Sequence, residues 1–150
     1  MSVGLLIITH KGIGSSLLAT ATRILGTCPL SAATLSVTEE AERDQLQQQA
    51  FQMAEQLDTG DGLLVLTDLF GSTPANIARN LHSQPAVRVL TGVNLPMLVR
   101  ALNYPTLPLA EIAAKAESGG RDGVLICPDK LHDTCVVPPS PAISREREGD

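Results

Sequence analysis

Apolar positions along this chain follow two alternating rhythms. Val3-Gly-Leu-Leu-Ile-Ile8 is a continuous apolar or small run, followed by Thr9-His10 and the turn Lys-Gly-Ile-Gly14. A run without polar alternation reads as a strand buried on both faces, which suits the centre of a parallel sheet. Ile13, Leu17, Leu18, Ala21, Ile24 and Leu25 then recur at helical spacing, and Gly26 and Pro29 close that helix. A short second strand is expected near Ala33–Val37. Thr38-Glu-Glu is expected to start a second helix, with a hydroxyl cap and acids in the first turn. Leu46, Ala50, Met53, Ala54 and Leu57 form its apolar stripe. Gly62-Leu-Leu-Val-Leu-Thr67 is the second strongly buried strand and runs into Asp68. The helix after it turns Ile77, Ala78 and Leu81 inward, with Pro74 in its first turn and Thr73 as its cap.

Val87–Thr91 reads as a fourth strand, and a helix with Leu98, Val99 and Leu102 follows it. Leu109, Ile112, Ala113 and Ala116 mark another helix, closed by Gly119-Gly120, and Gly123–Cys127 reads as a last strand. The division expected is a domain over 1–127 and a Pro-rich, loosely ordered tail over 128–150. Strands alternating with helices imply a doubly wound, mainly parallel α/β sheet with helices on both faces. The two most apolar strands, first and third, belong at its centre, giving the order 2-1-3-4. The topological switch then lies between the strand ends that carry His10 and Asp68.

Composition narrows the functions open to such a sheet. The chain has 150 residues, 43% apolar and only 2% aromatic, so its core is aliphatic. A net charge of −5 and the scarcity of rings give no footprint for nucleic acid or anionic lipid. No apolar run is long enough to span a membrane, and no signal peptide is visible, so a cytoplasmic protein is expected. Three cysteines, Cys28, Cys127 and Cys135, are too few and too irregular for a disulfide framework or a metal site. They read as free thiols. No metal and no cofactor is expected.

A histidine beside a carboxylate has a fixed tautomer. The carboxylate accepts the proton of one ring nitrogen and leaves the other as a nucleophile. It also stabilises the positive charge that develops on attack. Gly12 and Gly14 let the backbone turn tightly and are expected to leave amides open to an anion at the helix start. Thr9, Ser15, Ser16, Thr67, Ser72 and Thr73 add hydroxyls around the pair. Lys11 is a candidate phosphate ligand. The pocket suits a tetrahedral anion such as a phosphoryl group, and no nucleotide-binding lysine loop is present. Each residue also has an ordinary reading. His10 could be polar punctuation after a strand, Asp68 a turn cap, and Ser72 and Thr73 simple helix caps. Asn94 could be a turn residue with positive φ, and Lys11, His82 and His132 solvated side chains. The joint placement of His10 and Asp68, each ending a buried strand, favours the functional reading.

Four segments resemble the IIA domain of the mannose family of the bacterial sugar phosphotransferase system. They are Ile8-Thr-His-Lys-Gly-Ile-Gly14, Thr67-Asp-Leu-Phe-Gly-Ser-Thr-Pro-Ala-Asn76, Thr91-Gly-Val-Asn-Leu-Pro-Met-Leu98 and Ser118-Gly-Gly-Arg-Asp-Gly-Val124. The resemblance implies that His10 is phosphorylated by the carrier HPr and passes the group to a IIB component. It implies that Asp68 hydrogen-bonds the active imidazole and that Ser72 and Thr73 line the pocket. It further implies a homodimer exchanging a fifth, antiparallel strand, here Gly123–Cys127, with Gly119-Gly120 as its hinge. Lys11 stands where sugar-transporting members often carry glycine, and Ser72 replaces a frequent second glycine.

Other functions remain in view. A free-standing IIA protein could control a kinase or regulator through the same histidine. An aspartate-phosphorylated receiver would need an acidic pair after the first strand to hold magnesium, where this chain has His10-Lys11. A serine hydrolase would need a G-x-S-x-G elbow, which is missing.

Overall fold

The structure, a computed structural model, describes residues 2–83 and 86–127. The expected tail, 128–150, with His132 and Cys135, lies outside the described residues. The order of elements is β1 (Gly4–His10), α1 (Ile13–Leu25), β2 (Ala32–Val37), α2 (Arg43–Leu57), β3 (Leu63–Thr67), α3 (Thr73–Asn80), β4 (Val87–Leu90), α4 (Leu95–Leu102) and α5 (Leu109–Asp122). A short 3₁₀ turn, Leu81–Ser83, follows α3.

The four strands form a parallel sheet in the order β2-β1-β3-β4, as the placement of the apolar runs predicts. Leu5, Leu6, Ile7 and Ile8 of β1 and Leu63–Leu66 of β3 are fully buried. Their side chains alternate between two cores. Leu5, Ile7, Leu64 and Leu66 meet Ala21 of α1, Leu98 of α4 and Ile112 of α5 on one face. Leu6, Ile8, Leu63 and Val65 meet Leu46 and Ala50 of α2 and Ile77 of α3 on the other. Burying each such aliphatic side chain contributes about 1.5–3 kcal/mol before entropy is counted. The central strands are therefore the most rigid support the chain offers.

Four expectations change. Helix α2 starts at Arg43, with Glu42 as an N-cap that makes no side-chain bond, and not at Thr38. The chain must first leave the end of β2 before Leu46 can reach the sheet. Helix α5 does not stop at Gly119-Gly120 but runs to Asp122. Both glycines are buried: a Cβ on Gly119 would stand 2.5 Å from Arg100 Cβ, and one on Gly120 2.8 Å from Met97 Cε. The pair lets α5 approach α4 closely, so it is a packing device and not the expected hinge. Residues 123–127 form no strand within the chain. A strand needs a ladder partner. Among the described residues β4 pairs on one side only, with β3. Of the cysteines, Cys28 is a free thiol, whereas Cys127 is disulfide-bonded, which corrects its reading as free.

Candidate functional site

β1 and β3 are parallel neighbours, and Ile8 pairs with Thr67. His10 and Asp68 therefore leave the sheet side by side at its carboxyl edge. Asp68 Oδ2 accepts the His10 backbone N–H at 2.9 Å and lies 2.8 Å from His10 Nδ1. The other oxygen, Oδ1, accepts the Leu69 N–H at 3.0 Å. An ionised carboxylate only accepts, so this contact assigns the ring proton to Nδ1 and the lone pair to Nε2. The imidazole is 49% exposed and the Asp68 side chain 12%. Burial by itself raises the Asp68 pKa. The bond from the His10 backbone N–H, the bond from the ring and the attraction of the ring together outweigh it, and the carboxyl titrates below its usual value. The backbone N–H of His10 was not foreseen as part of the pair. It anchors the carboxylate to the histidine's own main chain.

The β1–α1 turn is built differently from its expected open form. Gly12 adopts φ +81°, the left-handed region that favours glycine, and its N–H donates to Ser36 Oγ at 3.4 Å. The Gly14 N–H is not open: it donates to Thr9 Oγ1 at 2.8 Å. Gly14 is a packing residue, since an added Cβ would lie 3.0 Å from both Ile7 Cγ2 and Thr9 Oγ1. Among the described residues, the amides of Ile13 and Ser15 have no hydrogen-bond acceptor, so they remain as donors at the start of α1. Lys11 is exposed and forms no ion pair among the described residues.

The hydroxyls divide into two sets. Thr9 and Thr67 are buried, and Thr67 Oγ1 has no partner among the described residues. Ser15 Oγ donates to the Gly12 carbonyl at 3.3 Å. Ser72, not Thr73, is the N-cap of α3. Its hydroxyl accepts the Ala75 N–H at 3.5 Å and donates to the Leu69 carbonyl at 2.6 Å. Thr73 is the first residue of α3 and exposed, with Pro74 in the first turn as expected. Asn94 has φ −142°, not a positive value, and caps α4 by accepting the Met97 N–H at 2.9 Å. Ser36 carried no sequence signal beyond its place near the end of β2. Thr9 did carry one, as the polar residue of an otherwise apolar strand that must find a partner when buried.

A cleft of about 490 Å³ lies elsewhere, along β4 between the Phe70 loop and α5. Phe70, His82, Val89, Met97 and Val124 line it, and neither His10 nor Asp68 does. The chemistry of the pair, not the size of a pocket, marks the candidate site. Among the described residues no cluster of His, Cys, Asp and Glu could hold a metal ion, and no helix is long and apolar enough to cross a membrane. The pair presents a half-exposed Nε2 lone pair backed by a mostly covered carboxylate.

The model of the PTS system fructose IIA component family, EIIA-man, matches residues 4–117. The PTS system mannose-specific EIIAB component of Escherichia coli (strain K12) is 33% identical over 129 residues, which is 83% of this chain and 39% of that protein. The chain thus spans well under half the length of the curated relatives it matches. Among solved structures, the mannose/sorbose specific IIA subunit of the phosphotransferase system from Enterococcus faecalis has TM-score 0.75 and 29% identity, covering 84% of this chain and 95% of its own. The PTS IIA protein associated with the fucose utilization operon from Streptococcus pneumoniae has TM-score 0.66 and 27% identity, covering 79% and 93%. With the family model spanning the whole sheet, both edge loops and most of α5, the chain belongs to the mannose-type IIA components of the phosphotransferase system.

Proposed function

We propose that this chain is a cytoplasmic phosphoryl carrier whose phosphorylated residue is His10. The observation that carries the reading is the 2.8 Å contact between His10 Nδ1 and Asp68 Oδ2, with the ring half-exposed at the carboxyl edge of the sheet. Nε2 attacks the phosphorus of a phosphohistidine on HPr. A bond forms between Nε2 and phosphorus while the donor's nitrogen–phosphorus bond breaks, and the electron pair stays on the donor ring. Asp68 holds the proton on Nδ1 and offsets the positive charge that grows on the imidazole as Nε2 bonds phosphorus. The free amides of Ile13 and Ser15, the Thr73 hydroxyl and the Lys11 ammonium are candidate ligands of the phosphoryl oxygens. Gly12 serves by shaping the turn. The group then passes to a IIB component by the same exchange in reverse.

The reading extends to a homodimer. Val124, Leu125 and Ile126 are 77%, 62% and 96% exposed, next to a cleft along a strand with one open edge. A second copy supplying residues 123–127 as a strand would cover both. The decisive test of the carrier function uses enzyme I, HPr and labelled phosphoenolpyruvate. Acid-labile label is expected on the wild type and none on His10→Ala. Label of the same stability on His10→Ala would refute the assignment.

A further inference from the structure

We propose that Thr9 is a positioning residue for His10, its buried hydroxyl tying the His10 carbonyl to the Gly14 amide and so clamping the His10 backbone together with Asp68. The proposal rests on the reading of His10 as the reactive residue. Two peptide planes meet at the His10 Cα, and each is tied. The N–H on the amino side donates to Asp68 Oδ2 at 2.9 Å. The carbonyl on the carboxyl side accepts from Thr9 Oγ1 at 2.8 Å. The same hydroxyl accepts the Gly14 N–H at 2.8 Å, which directs its single proton towards the His10 carbonyl. Thr9 is 1% exposed, so no bulk water stands ready to replace either bond. Its β-branched side chain has little rotamer freedom, which makes the hydroxyl a fixed point. Gly14 makes this geometry possible, because a Cβ there would crowd Thr9 Oγ1 at 3.0 Å.

The clamp fixes both backbone torsions of His10, and so fixes the direction in which the ring leaves the chain. Asp68 supplies the other half of this hold, at the His10 N–H, and the same oxygen selects the tautomer. Without the hydroxyl, the Gly14 N–H loses its acceptor and the His10 carbonyl loses its donor. The ring then samples orientations in which Nδ1 misses Asp68. Misplacing a reacting group by a fraction of an ångström lowers a rate steeply, and a loss on the order of 10-fold in phosphoryl transfer is expected for Thr9→Val. Thr9→Ser keeps the hydroxyl and is expected to stay within about twofold of wild type on the same reasoning.

The test pairs transfer rates from phospho-HPr with ¹⁵N NMR of the His10 ring, both well below the melting temperature. Thr9→Val is expected to slow transfer and to move the ring from a single Nδ1–H tautomer towards a mixture, and Thr9→Ser to restore both. A purely structural threonine would lower thermal stability and leave the ring signature unchanged. A folded Thr9→Val with wild-type rate or wild-type ring signature overturns the proposal. Should Thr9→Val not fold, the wild-type protein decides. A slowly exchanging Thr9 hydroxyl proton close to the Gly14 amide supports the clamp, and a freely exchanging one overturns it. If the wild type takes no label while Thr9→Val still alters the ring, the carrier reading fails and the clamp stands.

Discussion

Replacing Asp68 with asparagine keeps the shape of the side chain and removes its charge. In the wild type one oxygen, Oδ2, takes both the His10 backbone N–H at 2.9 Å and the ring Nδ1 at 2.8 Å. An asparagine oxygen at that place still accepts both, now as a neutral acceptor. A hydrogen bond to a charged group contributes about 1.5–3 kcal/mol and a neutral one about 0.5–1.5 kcal/mol. The difference, about 1–2 kcal/mol, is felt most in the transition state, where the ring becomes cationic. At 1.36 kcal/mol per decade this corresponds to a slowing of about 5- to 30-fold. The assay is single-turnover transfer from phospho-HPr, with circular dichroism to confirm folding. Transfer at the wild-type rate in a folded Asp68→Asn protein would refute the role of the carboxylate. A loss far beyond 100-fold would refute the magnitude and mean that the asparagine has turned its amide towards the ring.

The lowered Asp68 pKa makes stability pH-dependent in a defined direction. A depressed carboxylate contributes stability that is fully present above its unfolded value, about 3.9, and is lost as pH falls through the folded value. Melting temperature is therefore expected to fall below about pH 4, and less so in Asp68→Asn; equal slopes in the two proteins would contradict this. Gly119→Ala places a Cβ 2.5 Å from Arg100 Cβ and is expected to cost about 1–3 kcal/mol, a drop of about 2–4 °C per kcal/mol in a chain this size. An unchanged melting temperature would mean α5 has room to shift. Ile126→Asp is expected to convert a dimer to a monomer in light scattering and leave far-UV dichroism nearly unchanged; an unaltered mass would remove residues 123–127 from the interface.

The sheet and the His10–Asp68 pair were legible because both rest on runs of apolar residues. An unbroken run such as Gly62–Leu66 has few places to go except the centre of a sheet, and topology then puts the residues after it at the switch point. What stayed hidden was the allocation of individual hydrogen bonds. Ser72 and Thr73 both suit a helix cap, and only the geometry of the loop gives the role to Ser72. The Gly14 amide looks free in one dimension and is taken by a side chain five residues back. Gly119-Gly120 reads as a helix end by local preference, but contact with Arg100 and Met97 keeps the helix going. Gly123–Cys127 has a strand's composition, yet a strand is defined by a partner, and composition does not say which chain supplies it.

The segment from Asp68 to Ser72 joins the end of β3 to the start of α3. Surface loops commonly accept inserted residues at small thermodynamic cost. This one has little slack. Asp68 is held by His10, the Leu69 N–H by Asp68, the Leu69 carbonyl by Ser72, and Gly71 turns at φ +84°. Leu69 and Phe70, 62% and 76% exposed, are the positions whose side chains stand clear of that mesh. Length here is as constrained as chemistry. In a library of random insertions across the chain, the stretch 68–72 would stand out as a gap.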